Sequence, residues 1–529
     1  MISRITFLAM SLLLALPAMA DEFVSAPMRV APAKAVATPA SDYVPLAADR
    51  RPALHEHRIA DAALARGFDQ LSEGVWARGG KRTPAGVHAD APTLNAGDWT
   101  RIARADGLVS WMARISSPGA DYLRTHFTRT VRRGEIWVIG GDGVARMARP
   151  TRTATTTDFW GPIVPGDRMT IEVVTPGDAP PANLIDTISH ILPLQDLAAE
   201  QNCYSDPTCF TDGNAVKKGV GWIWLADPWG TFICTGSLLS DVSGSLAPYF
   251  LTANHCMNTQ QEADAIVVVW NYHTSTCDGS VPNPVTLPNS AGSEMLAHSS
   301  QSDFALFLLD EDPPAGTTYL GWTTDALASG EDITVVHHPD GSWKRITFGD
   351  QVGGDTNFWE VRYTDGSTEG GSSGSPLFND DMLVVGQLYG GSAWCTNMNG
   401  TDDFGKFSRS WTLGIEDYLN SSTTTTTPST TTTTTTSTTA PTTTTTTAPT
   451  TTTTSPTTTT TIPGDDDTDD DADDDSDDDA DDDGWYPDDD VSDDDTTDDD
   501  VGDDDATDDD SMDDDASGDD DDEAGGCGC

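Results

Sequence analysis

Between Cys203 and Asn420 the sequence is a succession of short apolar runs broken by Gly, Pro, Asn and Asp, and this pattern limits the fold more than any other feature. Gly221–Leu225, Phe232–Leu239, Ala265–Trp270, Phe304–Leu309, Ile333–Val336 and Met382–Leu388 have the length and the flanking turn residues of strands. A stretch of about 220 residues built this way is all-β and suits a pair of antiparallel barrels. It closes on Trp411, Ile415, Tyr418 and Leu419, whose spacing predicts an amphipathic final helix. Residues 199–420 are therefore taken as one domain.

The flanking segments read differently. Arg4, the apolar run Ile5–Leu16 and Ala18-Met19-Ala20 have the layout of a secretory signal over residues 1–20. That run is too short for a comfortable membrane span, and no later segment reaches the required length without charges, so no transmembrane segment is expected. Residues 21–98 are rich in Ala, Arg and Pro, with a modest helical pattern over Arg58–Leu71, and are expected to be loosely ordered. From residue 99 to 198 the runs Leu108–Ile115 and Glu135–Ile139 and the period-two stretch Asp167–Val173 predict a small β-sandwich. Residues 421–464 are almost entirely Thr with scattered Pro and Ser, the composition of an extended, O-glycosylated stalk. Residues 465–529 repeat Asp triplets and end in Cys527-Gly528-Cys529. Both tails are expected to be disordered, the second kept extended by its own charge.

The formal net charge of −58 belongs mostly to that tail, which holds 38 acidic residues and no basic one. Residues 21–198 balance at 20 of each sign, and residues 199–464 carry 7 basic and 28 acidic residues. An acidic body argues against nucleic acid as a partner and suits a cationic substrate. Six cysteines lie in the body: Cys203, Cys209, Cys234, Cys256, Cys277 and Cys395. An even number in an exported chain, with no C-x-x-C spacing, favours three disulfides over a metal site, and fifteen pairings are open. His55-Glu56-His57 lacks a third ligand nearby. Neither a metal nor a cofactor is expected.

Three segments carry chemistry. Phe250–Cys256 runs an apolar strand into a turn that presents His255. Ser302–Leu306 places Asp303 at the head of an apolar strand, and Gly371-Ser372-Ser373-Gly374-Ser375-Pro376 centres Ser373 in a tight turn. Each alone has an ordinary structural reading; together, in the order His, Asp, Ser, they form the set that acyl transfer needs. A serine hydroxyl requires a base, His255 can take and return the proton, and Asp303 can hold the imidazole in the right tautomer. Gly371 and Ser373 are placed to supply backbone amides to an oxyanion hole.

The stretch from Cys203 to about Leu419 resembles the lysyl endopeptidases, the lysine-specific branch of the chymotrypsin-like serine proteases. The likeness rests on Cys234-Thr235-Gly236-Ser237-Leu238, Phe250–Cys256, Trp270-Asn271-Tyr272 with Cys277, Ser302-Asp303-Phe304, His337-His338-Pro339, Thr368-Glu369 leading into the Ser373 turn, and Gly386-Gln387-Leu388. Phe159-Trp160-Gly161-Pro162 and Pro165-Gly166-Asp167 resemble the pro-region of the same family. The resemblance implies a chymotrypsin-like double barrel and the disulfides Cys203–Cys395, Cys209–Cys277 and Cys234–Cys256. It implies that Asp402, in Thr401-Asp402-Asp403-Phe404-Gly405, forms the base of a lysine pocket, and that Tyr389, Gly390 and Gly391 line the cleft and pair with substrate backbone. It also implies that His337-His338 serves packing. Where this chain has Tyr389, the family has a His stacked on a Trp, for which no counterpart is found here.

Peptides and proteins with Lys at the cleavage site are the expected partners of a secreted or cell-surface monomer. Cys527 or Cys529 is a candidate point of surface attachment, and two other readings stay open: a protease tolerant of Lys and Arg, and a surface binding protein with an inactive protease fold, displayed on its stalk and tail. Between Arg168 and Cys203 there is no Lys or Arg, and the lysines upstream are Lys34 and Lys81. A lysine-specific enzyme is therefore expected to trim itself at Lys34 or Lys81 but not next to Cys203.

Overall fold

The computed structural model describes residues 24–32, 43–78, 82–152, 157–192 and 203–420. The signal-like start and the Thr-rich and Asp-rich segments lie outside the described residues.

Residues 220–406 fold as two closed antiparallel barrels. In the first, Val220–Asp227 pairs with Gly230–Leu239, which pairs with Tyr249–Ala253, then Phe304–Leu309. The ring continues through Ser293–Ser299 and Asn289–Ala291 to Val267–Val269, which pairs back to Val220–Asp227. The bend between Asn289–Ala291 and Ser293–Ser299 falls at Gly292, whose φ of +75° is open to glycine at no steric cost. Closure removes the exposed edges that an open sheet would present. Alternation sorts the strand Val220–Asp227: Ile223 and Leu225 face the barrel core with Phe232, Phe250 and Phe307. Trp222 and Trp224 face outward, into a separate cluster with Ala85 and Ile191. Both faces are covered, which is why the whole strand is buried.

The second barrel closes in the order Val384–Gly391, Pro376–Phe378, Asp332–His337, Arg345–Gly354, Phe358–Asp365, Asp402–Lys406 and back to Val384–Gly391. Its core contains Ile333, Val335, Trp359, Val361, Leu377, Leu388 and Phe404. Between the barrels lies a third cluster, including Leu251, Phe304, Val336, Ile346 and Phe378. The helical run 407–419 seals it with Phe407 and with Trp411, Ile415 and Leu419 of the predicted helix, while Tyr418 packs against the cluster partly buried. The three disulfides join Cys203 to Cys395, Cys209 to Cys277 and Cys234 to Cys256.

Upstream, two sheets face each other across Trp111, Ile115, Val138, Ile171, Leu123, Phe127 and Ile188. One is built on Val109–Ser116, Arg168–Thr175 and Glu135–Ile139. The other is built on Tyr122–Phe127, Ile185–Ile191 and Thr83–Asp90. This is the expected sandwich with two differences. The stretch 21–98, expected to be loose, contains the helix Asp61–Arg78 and the strand Thr83–Asp90. That strand pairs with Ile185–Ile191 on one side and with Gly230–Leu239 of the first barrel on the other, so sandwich and barrel share one continuous sheet. Further upstream, Ser25–Ala26 pairs with Trp322–Thr323, and Arg29–Val30 with Thr318–Tyr319.

Candidate active site

Strand register brings the first two site residues together. Tyr249–Ala253 and Phe304–Leu309 are antiparallel neighbours with Ala253 opposite Phe304. The residues just beyond those ends, His255 and Asp303, are thereby delivered to the same end of the pair. His255 Nδ1 lies 2.7 Å from Asp303 Oδ2, and the His255 backbone N–H donates to Asp303 Oδ1 at 2.9 Å. Two contacts to one carboxylate fix both the position and the tilt of the ring. Asp303 adopts φ +50°, a left-handed conformation that Asp tolerates better than most residues. The Asp303 carbonyl accepts from Asn254 N–H at 3.0 Å, which stabilises that turn.

The third residue arrives from the second barrel. Ser373 Oγ is 2.7 Å from His255 Nε2. Its turn is tied to the first barrel by Thr235: the Thr235 N–H donates to the Ser373 carbonyl at 2.8 Å, and its hydroxyl donates to the Gly371 carbonyl at 2.8 Å. Cys234–Cys256 clamps the strand beneath Thr235 to the turn that carries His255. Gly371 has φ +87°, and a Cβ there would lie 2.9 Å from the His338 carbonyl, so only glycine fits. Neither the Gly371 nor the Ser373 amide donates to a protein acceptor among the described residues. Two unclaimed amides flanking a serine hydroxyl are what a developing oxyanion requires.

His337 and His338 do more than pack. His337 Nδ1 lies 2.7 Å from the Ser372 hydroxyl, next to Ser373. The His338 N–H donates to the Thr235 hydroxyl at 3.1 Å, and its ring lies against Trp222 and Tyr272. Burial holds the His338 imidazole well below its usual pKa, with Lys344 adding to the effect. It is a neutral brace for the turn. The sequence flagged this pair but gave no sign of its bond to Ser372.

Asp402 begins the strand Asp402–Lys406 and pairs with Gly391, while Asp403 pairs with Gly390. Asp402 is 1% exposed. Its carboxylate accepts from the Tyr363 hydroxyl at 2.9 Å and from the Thr368 hydroxyl. Burial, together with Asp402, raises the Tyr363 phenol far above its usual pKa, so it stays a donor. Asp403 is half-buried, and burial raises its carboxyl, with Glu360 and Asp402 adding to the shift. Tyr363 and Thr368 went unnoticed as Asp402 partners because neither stands near it in sequence.

Tyr389 sets its ring edge-on to His255, with centroids 5.7 Å apart and an interplanar angle of 90°. Phe358 backs it at 5.7 Å. A ring thus occupies the flank of the imidazole, and Phe358 from the next strand but one supports it where the sequence offered no Trp.

Residues 197–405 match the family described as lysyl endopeptidase, C-terminal domain. A lysyl endopeptidase of Pseudomonas aeruginosa is 27% identical over 345 residues, covering 59% of this chain and 75% of that protein. Similar solved structures include the active form of a protease from M. tuberculosis, at 14% identity and TM-score 0.30, covering 42% of this chain and 93% of that one. A Glu endopeptidase in complex with MPD shares 17% identity at TM-score 0.29, covering 39% of this chain and 93% of that one. Through residues 197–405 the chain is similar to the lysyl endopeptidases, and it is a serine endopeptidase.

Proposed function

We propose that this protein is a secreted endopeptidase that cuts on the carboxyl side of lysine through an acyl-enzyme. In this reading His255, Asp303 and Ser373 are the catalytic triad. Ser373 Oγ attacks the scissile carbonyl while His255 Nε2 takes its proton. Asp303 keeps Nδ1 protonated and offsets the charge that appears on the ring. The Gly371 and Ser373 amides receive the oxyanion. His255 then gives its proton to the leaving amine, and water repeats the sequence on the ester to release the acid. Tyr389, Gly390 and Gly391 form the strand edge along which the acyl half of the substrate pairs.

The observation that carries the lysine preference is Asp402. A carboxylate buried at the foot of that edge and held by two hydroxyls offers a fixed negative charge to a substrate ammonium. An uncharged side chain would gain nothing from that carboxylate, and this difference works against other substrates. Secretion is supported by the three disulfides and the signal-like start. All the site residues come from one chain, so a monomer suffices.

The test is hydrolysis of matched peptidyl amides ending in Lys, Arg or Ala. Asp402→Asn is expected to lower kcat/KM for Lys by about 10²–10³-fold, as for other desolvated charge pairs, while Ala substrates change little. If Asp403→Asn abolishes the preference and Asp402→Asn does not, the pocket base is the next residue along. If wild type takes Arg as well as Lys, the reading narrows to a cationic pocket.

A further inference from the structure

The acyl half of a substrate runs along Tyr389–Gly391 toward Asp402, so the amine half must leave across the other side of the Ser373 turn. That side is bordered by the strand Gly230–Leu239. Ile233 of this strand lies against the oxyanion turn, 3.5 Å from where a Cβ on Gly371 would sit. The edge is not empty. Thr83–Asp90 lies on it antiparallel, with Thr83 opposite Ile233, Pro84 opposite Phe232 and Gly86 opposite Thr231. The Thr83 hydroxyl presses on Gly370, only 2.1 Å from where a Cβ there would stand. The preceding residue is anchored by charge: Arg82 Nη1 is 3.0 Å from Asp227 Oδ2, with side chains 2% and 0% exposed. Its guanidinium also lies 3.8 Å from the centre of the Phe232 ring. Asp227 is itself fixed, since its other oxygen accepts from the Trp229 and Gly230 amides. Ser373 has no exposed surface, whereas Tyr389 on the acyl side is 39% exposed.

We propose that the strand Gly230–Leu239 is the leaving-group half of the substrate cleft, with Asp227 as its subsite for a basic side chain. We infer that the protein's own Arg82–Gly86 occupies this half. The N-terminal region then acts as a bound peptide that blocks chain beyond the scissile bond and leaves the acyl side free. The pairing geometry is strand addition, in which backbone bonds give affinity and Asp227 gives selectivity. The occupant is strongly held, because its other edge pairs with Ile185–Ile191 and its helix Asp61–Arg78 packs on it. In sequence, Arg82 follows Lys81, so the segment reads as a lysine-site substrate from its leaving-group side.

This rests on the acyl-transfer reading of Ser373, and the test separates the two. The full chain is assayed with a peptidyl-Lys p-nitroanilide, whose leaving group is one small ring, and with a fluorogenic peptide that continues four residues past the same Lys. The expected result is anilide hydrolysis with kcat/KM for the extended peptide at least tenfold lower. Arg82→Ala should raise the extended-peptide value about tenfold or more and leave the anilide within about twofold. Equal hydrolysis of both substrates by the wild-type chain overturns the proposal whether or not the variant folds, as does a folded Arg82→Ala chain with an unchanged ratio. Hydrolysis of neither substrate by the full chain would overturn the claim that the acyl side is free, and with it this inference, whereas the function proposed above fails only if the activated enzyme is inactive as well.

Discussion

At the scale of single residues, the site is a set of short fixed contacts, and the groups around it carry much of the electrostatic cost. Asp340 is the clearest case. It follows His338-Pro339 at φ +49°, its N–H donates to the Gly370 carbonyl at 2.6 Å, and its carboxyl is pushed up to about 7 by burial and by Glu369. A carboxyl that binds its proton more tightly when folded favours the folded state most below its unfolded value near 4. That contribution is lost as pH rises towards 7. Asp340→Asn, which tolerates the same backbone, should therefore melt higher than wild type at pH 8, with the difference closing by about pH 4. Thermal melts of the two proteins across this range check the sign; a wild-type advantage at pH 8 would show that the ionised form is paired rather than penalised.

At the scale of elements, register does most of the positioning. His255 and Asp303 meet because their strands are neighbours, and the second barrel is fitted against that corner with almost no slack. A Cβ on Gly405 would lie 1.8 Å from the Ser302 carbonyl, beside Asp303, and Gln387 Nε2 donates to that same carbonyl at 2.7 Å. Gly405→Ala should cost about 1–3 kcal/mol of stability, as overpacked cores do, and depress activity by moving Asp303. An unchanged melting temperature would contradict this close approach. The barrels were legible in sequence because their strands are strongly apolar and cleanly bounded, and the meeting of His255, Asp303 and Ser373 was legible because each stands near a strand end or in a glycine turn. The strand Thr83–Asp90 was not. Its buried residues are Ala85, Gly86, Val87, His88 and Ala89, a weakly apolar set. Small residues are needed there: a Cβ on Gly86 would come within 2.8 Å of the His190 carbonyl. The close approach of the neighbouring strand Ile185–Ile191 thus removed the hydrophobic signal by which a strand is recognised.

At the scale of the whole molecule, the continuous sheet changes what the N-terminal region is. Composition alone separated residues 21–98, 99–198 and 199–420. The structure instead threads Thr83–Asp90 between sandwich and barrel and lays Ser25–Ala26 and Arg29–Val30 against the strands that join the barrels. A cut in the connection before Cys203 would leave these pairings in place, so release of the N-terminal region would require dissociation of a paired strand as well as hydrolysis. On the proposed lysine specificity, the absence of Lys and Arg between Arg168 and Cys203 would leave such a cut to another protease. The central claim is that Ser373 attacks and Asp402 chooses lysine. Its most direct test is a digest of a denatured protein substrate by the activated enzyme, with every new C-terminus read by mass spectrometry. New termini should end in Lys, and Ser373→Ala should lower their yield by about 10⁴–10⁶-fold. Termini distributed over uncharged residues, or an undiminished digest from Ser373→Ala, would contradict the account.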